Sequence, residues 1–224
     1  MDQISAETPD RKIPTHEVTY GQLRQMVLTG GLAPGQAVTI QGLIRDLGAG
    51  MTPVREAIRR LTAEGALQLH GNRRVSVPSL TADLLDQIAF ARLTIEPRIA
   101  ELAAPRLTPE KVVGLTVIDD AIETAIQAGD VPAYLTNNHR FHFELYETSG
   151  AQVLIDMSQS LWLRFGPSLR VVSARYKSAR MPDRHSDALA AMRASDGRAL
   201  AEAIRDDIAQ GIDLVRQALL AGEI

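Results

Sequence analysis

The stretch from Thr39 to Val77 restricts the possible folds more than any other part of the chain. Ile40, Leu43, Ile44 and Leu47 fall on one side of a short helix over Thr39–Leu47. Gly48-Ala49-Gly50 makes a tight turn. Thr52-Pro53 then opens a second helix, Pro53–Glu64, with a capping hydroxyl and a proline at its first position. Val54, Ala57, Ile58 and Leu61 face inward along it, while Arg55, Arg59 and Arg60 project elsewhere, Arg55 and Arg59 on one face. Gly65 ends the helix. Ala66–His70 and Arg73–Val77 alternate as a half-buried hairpin whose turn falls within His70–Arg73. Two helices parted by a glycine turn and followed by a hairpin predict a winged helix-turn-helix. Its second helix would enter a major groove about 12 Å wide and offer its arginines to bases and phosphates. The competing reading is that the three arginines are only the wet face of a surface helix.

Upstream, residues 1–15 are polar and read as a flexible arm, followed by a helix from Glu17 to Thr29 that Gly30-Gly31 ends and a turn at Pro34-Gly35. The net charge of −3 divides unevenly: residues 1–80 carry 9 basic and 7 acidic groups, the remainder 15 and 20. That asymmetry suits a nucleic-acid-reading module joined to an acidic partner domain. The chain has no cysteine, which excludes disulfides and cysteine-ligated zinc or iron–sulfur sites. No apolar run approaches the roughly 20 residues that span a bilayer, and the expectation is a cytoplasmic protein with no membrane partner.

Tyr20 to Pro78 resembles the DNA-binding domain of the GntR family of transcriptional regulators. The resemblance rests on Leu23-Arg24, on Gly31-Leu32-Ala33-Pro34-Gly35, and above all on Thr52-Pro53-Val54-Arg55-Glu56-Ala57-Ile58-Arg59-Arg60-Leu61 with Ala63-Glu64-Gly65. It implies that Arg55 and Arg59 contact DNA, with Thr52 at the backbone and the wing tip, Asn72, Arg73 and Arg74, near the minor groove. The chain departs from the family pattern in three places. Gly50-Met51 stands where a Ser-Arg pair is usual, Ile44 where a small alanine is usual, and Arg74 at a common wing-glycine position. These departures imply an altered operator preference or weaker binding.

From Thr81 onward the pattern is helical, with expected helices at Ala82–Ala104, Pro109–Ala128, Val131–Thr148, Ala151–Tyr176, Asp183–Ala194 and Gly197–Ala221. The predicted fold is therefore mostly α. It places a winged helix-turn-helix with a small hairpin wing over 16–78 and an antiparallel bundle of about six or seven helices over 79–224. Pro97 and Pro167 would kink their helices unless the freed carbonyls find other partners. Asn138 and His142 share a helix face, His185 begins the fifth helix of the bundle, and Asp207 lies in the last. If these faces converge, two imidazoles and two oxygens suit a divalent zinc, nickel or manganese ion. Otherwise His139 and His142 are ordinary satisfied or solvent-facing polar residues. Trp162 and Phe165 either line the same cavity or are plain core.

Leu84 to Leu219 resembles the ligand-sensing FCD domain of the FadR branch of that family, through Arg92 with Ile95-Glu96, Asn138-x-x-Phe141-His142, His185 with Ala188–Ala191, and Asp196 leading to Ala203 and Asp207. In many relatives an aspartate and three histidines bind a metal at the matching positions. Here Asn138 replaces the aspartate and Asp207 the third histidine, so one anionic ligand is retained and harder oxygen replaces nitrogen. The resemblance further implies that the metal, with Arg92, holds the carboxylate of a small organic acid. The alternative for Arg92 is a salt bridge with Glu96 or Glu101. The resulting expectation is a homodimeric, effector-controlled regulator that binds a double-stranded operator and has no catalytic residues. The alternatives are a metal-dependent enzyme built on the bundle and a helical dimer with only non-specific DNA binding.

Overall fold

The computed structural model describes residues 15–71, 74–173 and 182–223. All of the expected arm except Thr15 lies outside the described residues, as do Asn72, Arg73 and the end of the helix expected to reach Tyr176.

The first unit contains helices α1 (Thr15–Leu28), α2 (Ile40–Leu47) and α3 (Met51–Ala63). Strands β1 (Ala37–Thr39), β2 (Gln68–Leu69) and β3 (Arg74–Ser76) form an antiparallel sheet in the order β1-β3-β2, with Val38 and Leu69 flanking Val75. Leu23 and Val27 of α1, Leu43 of α2, Val54, Ala57 and Leu61 of α3 and Val75 are fully buried together. The wing is therefore three-stranded where the sequence suggested a hairpin. The extra strand is three residues long, too short to display an alternation, and Thr39 at its end also caps α2 by accepting the Gly42 N–H at 3.0 Å.

The recognition helix α3 also starts earlier than expected. Gly50 in extended conformation is its N-cap and Val54 N–H bonds to its carbonyl, so Thr52 lies in the first turn with an exposed side chain. Pro53 is tolerated at the third helical position because N–H groups of the first turn have no intrahelical acceptor in any case.

The second unit is an all-helical bundle: α4 (Ala82–Ala103), a single 3-10 turn (Ala104–Arg106), α5 (Pro109–Ala128), α6 (Val131–Thr148), α7 (Gln152–Ser173), α8 (Arg184–Arg193) and α9 (Gly197–Leu220). Thr81, Thr108, Asp130, Asp183 and Asp196 each accept a first-turn N–H as side-chain caps. α4 packs along α9, α5 on α6, and α8 on α9 and α5. The mostly helical class, with a winged helix-turn-helix ahead of a helical bundle, is thus the one observed. Helices α4 and α7 run continuously through Pro97 and Pro167. At Pro97 the reason is visible. The Leu93 carbonyl, deprived of its helical donor, accepts Arg205 Nη1 of α9 at 2.9 Å.

Helix α7 touches both units. Its Arg164 donates through Nη2 (3.1 Å) and Nε (3.2 Å) to the Glu64 carbonyl at the end of α3, and Arg170 donates to the Gly30 carbonyl after α1. Arg24 of α1 donates to Gln159 of α7 at 3.4 Å. Gly30 (φ 66°) and Gly65 (φ 74°) are left-handed, and a Cβ at either would collide with the approaching arginine. Among the described residues no helix is long and apolar enough to cross a membrane.

Candidate DNA interface and metal centre

The turn between α2 and α3 and the buried row Val54, Ala57, Ile58 and Leu61 orient the recognition helix so that Met51, Thr52, Arg55 and Arg59 lie on its exposed side. α7 holds its C-terminal end and leaves its N-terminal turn clear. Arg59 donates to both carboxylate oxygens of Glu56, at 2.9 and 2.6 Å. Arg55 shares a groove of about 520 Å³ with Arg59, Ile40, Ile58, Leu69 and His70, between α3 and the wing. Arg60 is placed differently from the other two arginines: it pairs with Glu17 of α1 at 2.7 Å and lies 3.7 Å over the Tyr20 ring. The helical repeat turns position 60 well away from the line through 55 and 59, which explains the difference. Arg74 lies on β3 with an exposed side chain. Asn72 and Arg73, the other expected wing contacts, are outside the described residues.

In the bundle, α6 contributes His142, the start of α8 His185, and α9 Asp207. Their ligand-type atoms all lie within 4.8 Å of one another, the one such group among the described residues. His142 Nε2 is 3.0 Å from Asp207 Oδ2, and His185 Nε2 is 3.7 Å from Asp207 Oδ1. Neither Nε2 makes a hydrogen bond, although both are buried. The hydrogen-bond network around them fixes what these atoms are. Tyr146 has one hydroxyl hydrogen and donates it to Glu96 Oε2 at 2.7 Å, so towards His142 Nδ1, 3.1 Å away, its oxygen accepts. His142 therefore carries its proton on Nδ1 and turns the Nε2 lone pair to Asp207. His185 Nδ1 lies 3.1 Å from Asp119 Oδ1 of α5, a partner that in the neutral imidazole would hold the proton on Nδ1 and leave the Nε2 lone pair facing inward. Two imidazole lone pairs and a carboxylate facing one point form the donor set of a divalent cation.

The electrostatics separate the two histidines. Burial pushes the His142 pKa below its ordinary value, against the pull of Asp207. Burial also opposes charge on His185, but Asp207 and then Asp119 outweigh it and raise that pKa. Asp207 is raised by burial, yet the pull of His185 and of His142 dominates and brings it to about 2.

Behind His142 lies a fully buried polar layer. Glu96 accepts two bonds from Arg92, at 2.6 and 3.3 Å, one from Tyr146 and one from Trp162 Nε1 at 3.0 Å. The Arg92 guanidinium also sits 4.4 Å from the Trp162 ring centroid and 4.8 Å from that of Phe165. The salt bridge considered for Arg92 is thus present and lies within α4. Trp162 and Phe165 belong to this layer. Asn138, buried one turn before His142, instead lines an open cavity of about 580 Å³ together with His185 and Asp207. The walls of that cavity also carry Asp119, Asp120, Glu123 and Asp183, against a single arginine, Arg184. His139 is elsewhere, stacked on Phe143 at 4.3 Å, and burial, with Arg24 nearby, depresses its pKa to about 3.

Comparison with known proteins decides the family. Residues 15–77 match the model of the bacterial regulatory proteins of the gntR family, and residues 87–210 match that of the FCD domain. The chain belongs to the GntR family and carries an FCD domain. Among GntR-family relatives it is 28% identical over 198 residues to the HTH-type transcriptional regulator McbR of Escherichia coli (strain K12), covering 87% of this chain and 90% of the relative. The solved structure of E. coli McbR/YncC superposes with a TM-score of 0.83 at 26% identity, over 92% of this chain and 98% of that one. A GntR transcriptional regulator from Rhodococcus sp. RHA1 shares the fold, with a TM-score of 0.71 at 18% identity over 91% and 98% of the two chains. The protein is a transcriptional regulator of this family.

Helical spacing and the FCD resemblance point to Asn138, His142, His185 and Asp207 but not to Asp119 or Tyr146. Tyr146 is four residues from His142 and could have been found by helical spacing. Asp119 is 66 residues from its histidine, and nothing in the sequence joins the two.

Proposed function

We propose that this regulator binds a double-stranded operator as a homodimer, through α3 and the wing of each head, and that the FCD unit controls this binding by holding a divalent ion and a small carboxylate. The observation that carries the reading is the recognition helix: an exposed face of Thr52, Arg55 and Arg59 on a helix held from behind by its buried row Val54, Ala57, Ile58 and Leu61, in a chain whose relatives are named HTH-type regulators. Arg74, with Asn72 and Arg73, is assigned to the wing contact, and Arg60 to holding α3 on α1. The division of the chain into a reading unit over 16–78 and a controlling unit over 79–224 belongs to the same proposal.

His142, His185 and Asp207, with Asn138 as a fourth oxygen donor, are the proposed holders of the ion, which would be zinc, nickel or manganese. The ion would supply the positive centre that a carboxylate needs in a cavity otherwise lined by acidic side chains. Arg92 is buried with Nε and Nη2 directed to Glu96, so a carboxylate would have to compete with that partner. We therefore assign Arg92 to supporting the site through Glu96 and Tyr146. No nucleophile or general base is proposed, and the protein is read as a non-enzyme acting in the cytoplasm.

The test is fluorescence anisotropy on DNA from upstream of the gene, with unrelated DNA of equal length as competitor at near-physiological salt. Binding should survive the competitor, and Arg55→Ala should weaken it by about 1–3 kcal/mol, roughly five- to 150-fold. Equal binding of both DNAs, or an Arg55→Ala variant with unchanged affinity, would refute the reading.

A further inference from the structure

We propose that Met51 reads the 5-methyl group of a thymine in the major groove, so that the operator half-site is thymine-specific at the base met by the first turn of α3. The proposal rests on the operator-binding reading above and deepens it. In helix-turn-helix proteins the N-terminal residues of the recognition helix reach the base edges. Met51 is the first residue of α3 and is 46% exposed, while the helix is held from its other face by Val54, Ala57 and Leu61. Positions 51, 55 and 59 stand four apart, so Met51 extends the line of Arg55 and Arg59 towards the groove.

The chemistry of that side chain limits what it can recognise. A thioether on an unbranched stem has no hydrogen-bond donor and adapts its shape to apolar partners. In the major groove the apolar feature among the four bases is the thymine methyl, whereas guanine presents two acceptors, O6 and N7. Set against guanine, Met51 would strip water from those acceptors and give nothing back. Set against thymine, it buries a methyl group. The preceding Gly50 has no side chain to reach the same base. Arg59 has committed Nε and Nη2 to Glu56, which leaves the charged readout of this face chiefly to Arg55.

The experiment selects binding sites for the full chain from randomised duplex DNA. It then replaces each thymine of the consensus, one at a time, with deoxyuridine, which removes only the methyl group. Affinity is measured by anisotropy at one fixed salt concentration. The expected result is one symmetry-related pair of thymines at which deoxyuridine weakens binding about fourfold per half-site, the effect of exposing one methyl-sized group. Met51→Ala should bind intact and deoxyuridine DNA alike at that pair, and Met51→Arg should shift the selected base to guanine. The inference is overturned if no thymine shows the sensitivity, or if Met51→Ala retains it. A selection that yields no consensus overturns both this inference and the operator-binding reading. A consensus without deoxyuridine sensitivity overturns this inference alone. Met51 contributes to no core, and the deoxyuridine series uses the unaltered protein, so the result does not depend on a variant that folds poorly.

Discussion

Glu96 is fully buried and accepts four hydrogen bonds, so its charge is matched by Arg92 and its oxygens by Tyr146 and Trp162. A pair of this kind adds little stability over an apolar core, but removing one partner leaves the other charge stranded. Glu96→Gln should therefore lower the unfolding free energy by about 3–5 kcal/mol, read from urea denaturation. A loss below 1 kcal/mol would show that Arg92 finds another partner. Asp119 lies 3.1 Å from His185 Nδ1, and in the proposed metal site it would hold that nitrogen's proton. Asp119→Asn keeps the shape and loses the charge. Zinc affinity, measured by competition with a chromogenic chelator, should fall roughly ten- to a hundredfold while helix content is unchanged. Affinity equal to that of the parent would remove Asp119 from the site. The proposed ligands were legible in the sequence because two of them sit on one face of α6 and the rest follow a family pattern. It could not show Asp119, because pairing across a bundle depends on how α5 is rotated against α8, which no local spacing records.

Among the elements, α7 joins functions that the sequence had divided. Trp162 on one side of it bonds Glu96, the residue behind His142, while Arg164 and Arg170 hold the carbonyls that end α3 and α1. The chain itself joins the two units through residues 77–81, and α7 is a second connection between them. If α7 transmits the ligand state, the double variant Arg164→Ala, Arg170→Ala should still bind operator, but a metal and carboxylate that change the parent's operator affinity should change its affinity by a smaller factor. Anisotropy with and without both ligands measures this. An unchanged ratio would return the role to the linker. Helix limits in the bundle were readable nearly to the residue, since Thr81, Thr108, Asp130, Asp183 and Asp196 each announce a helix start. β1 was not readable, because its pairing with β3 is a long-range event between segments about 37 residues apart.

For the molecule as a whole, a metal bound to the folded form alone shifts the folding equilibrium by mass action. At a free ion concentration a hundred times its Kd the gain is about 2.7 kcal/mol, which for a chain of this size is roughly 5–10 °C in Tm. Chelator should lower the melting temperature of the parent by that order, and zinc or manganese should restore it. His142→Ala, His185→Ala should melt at one temperature in either condition, as followed by circular dichroism. A parent that ignores both chelator and metal would show that the three converging ligands hold a proton and not an ion. The two-unit plan itself was visible in the change from a short-helix, turn and strand pattern to long helices after Thr81. The family resemblance then supplied what periodicity alone leaves open, namely which polar residues of separate helices to look for together.

The arginine caps on α1 and α3 have a consequence for how the protein measures DNA. A reading head on a flexible tether tolerates variation in the distance between two half-sites, because the tether takes up the difference. A head whose helix ends are fastened to α7 has little slack, and each added base pair turns its target about the duplex axis by roughly a tenth of a turn. If two copies pair as proposed, the bundle would work as a caliper with a set opening, and two correct half-sites at the wrong separation would be read as one.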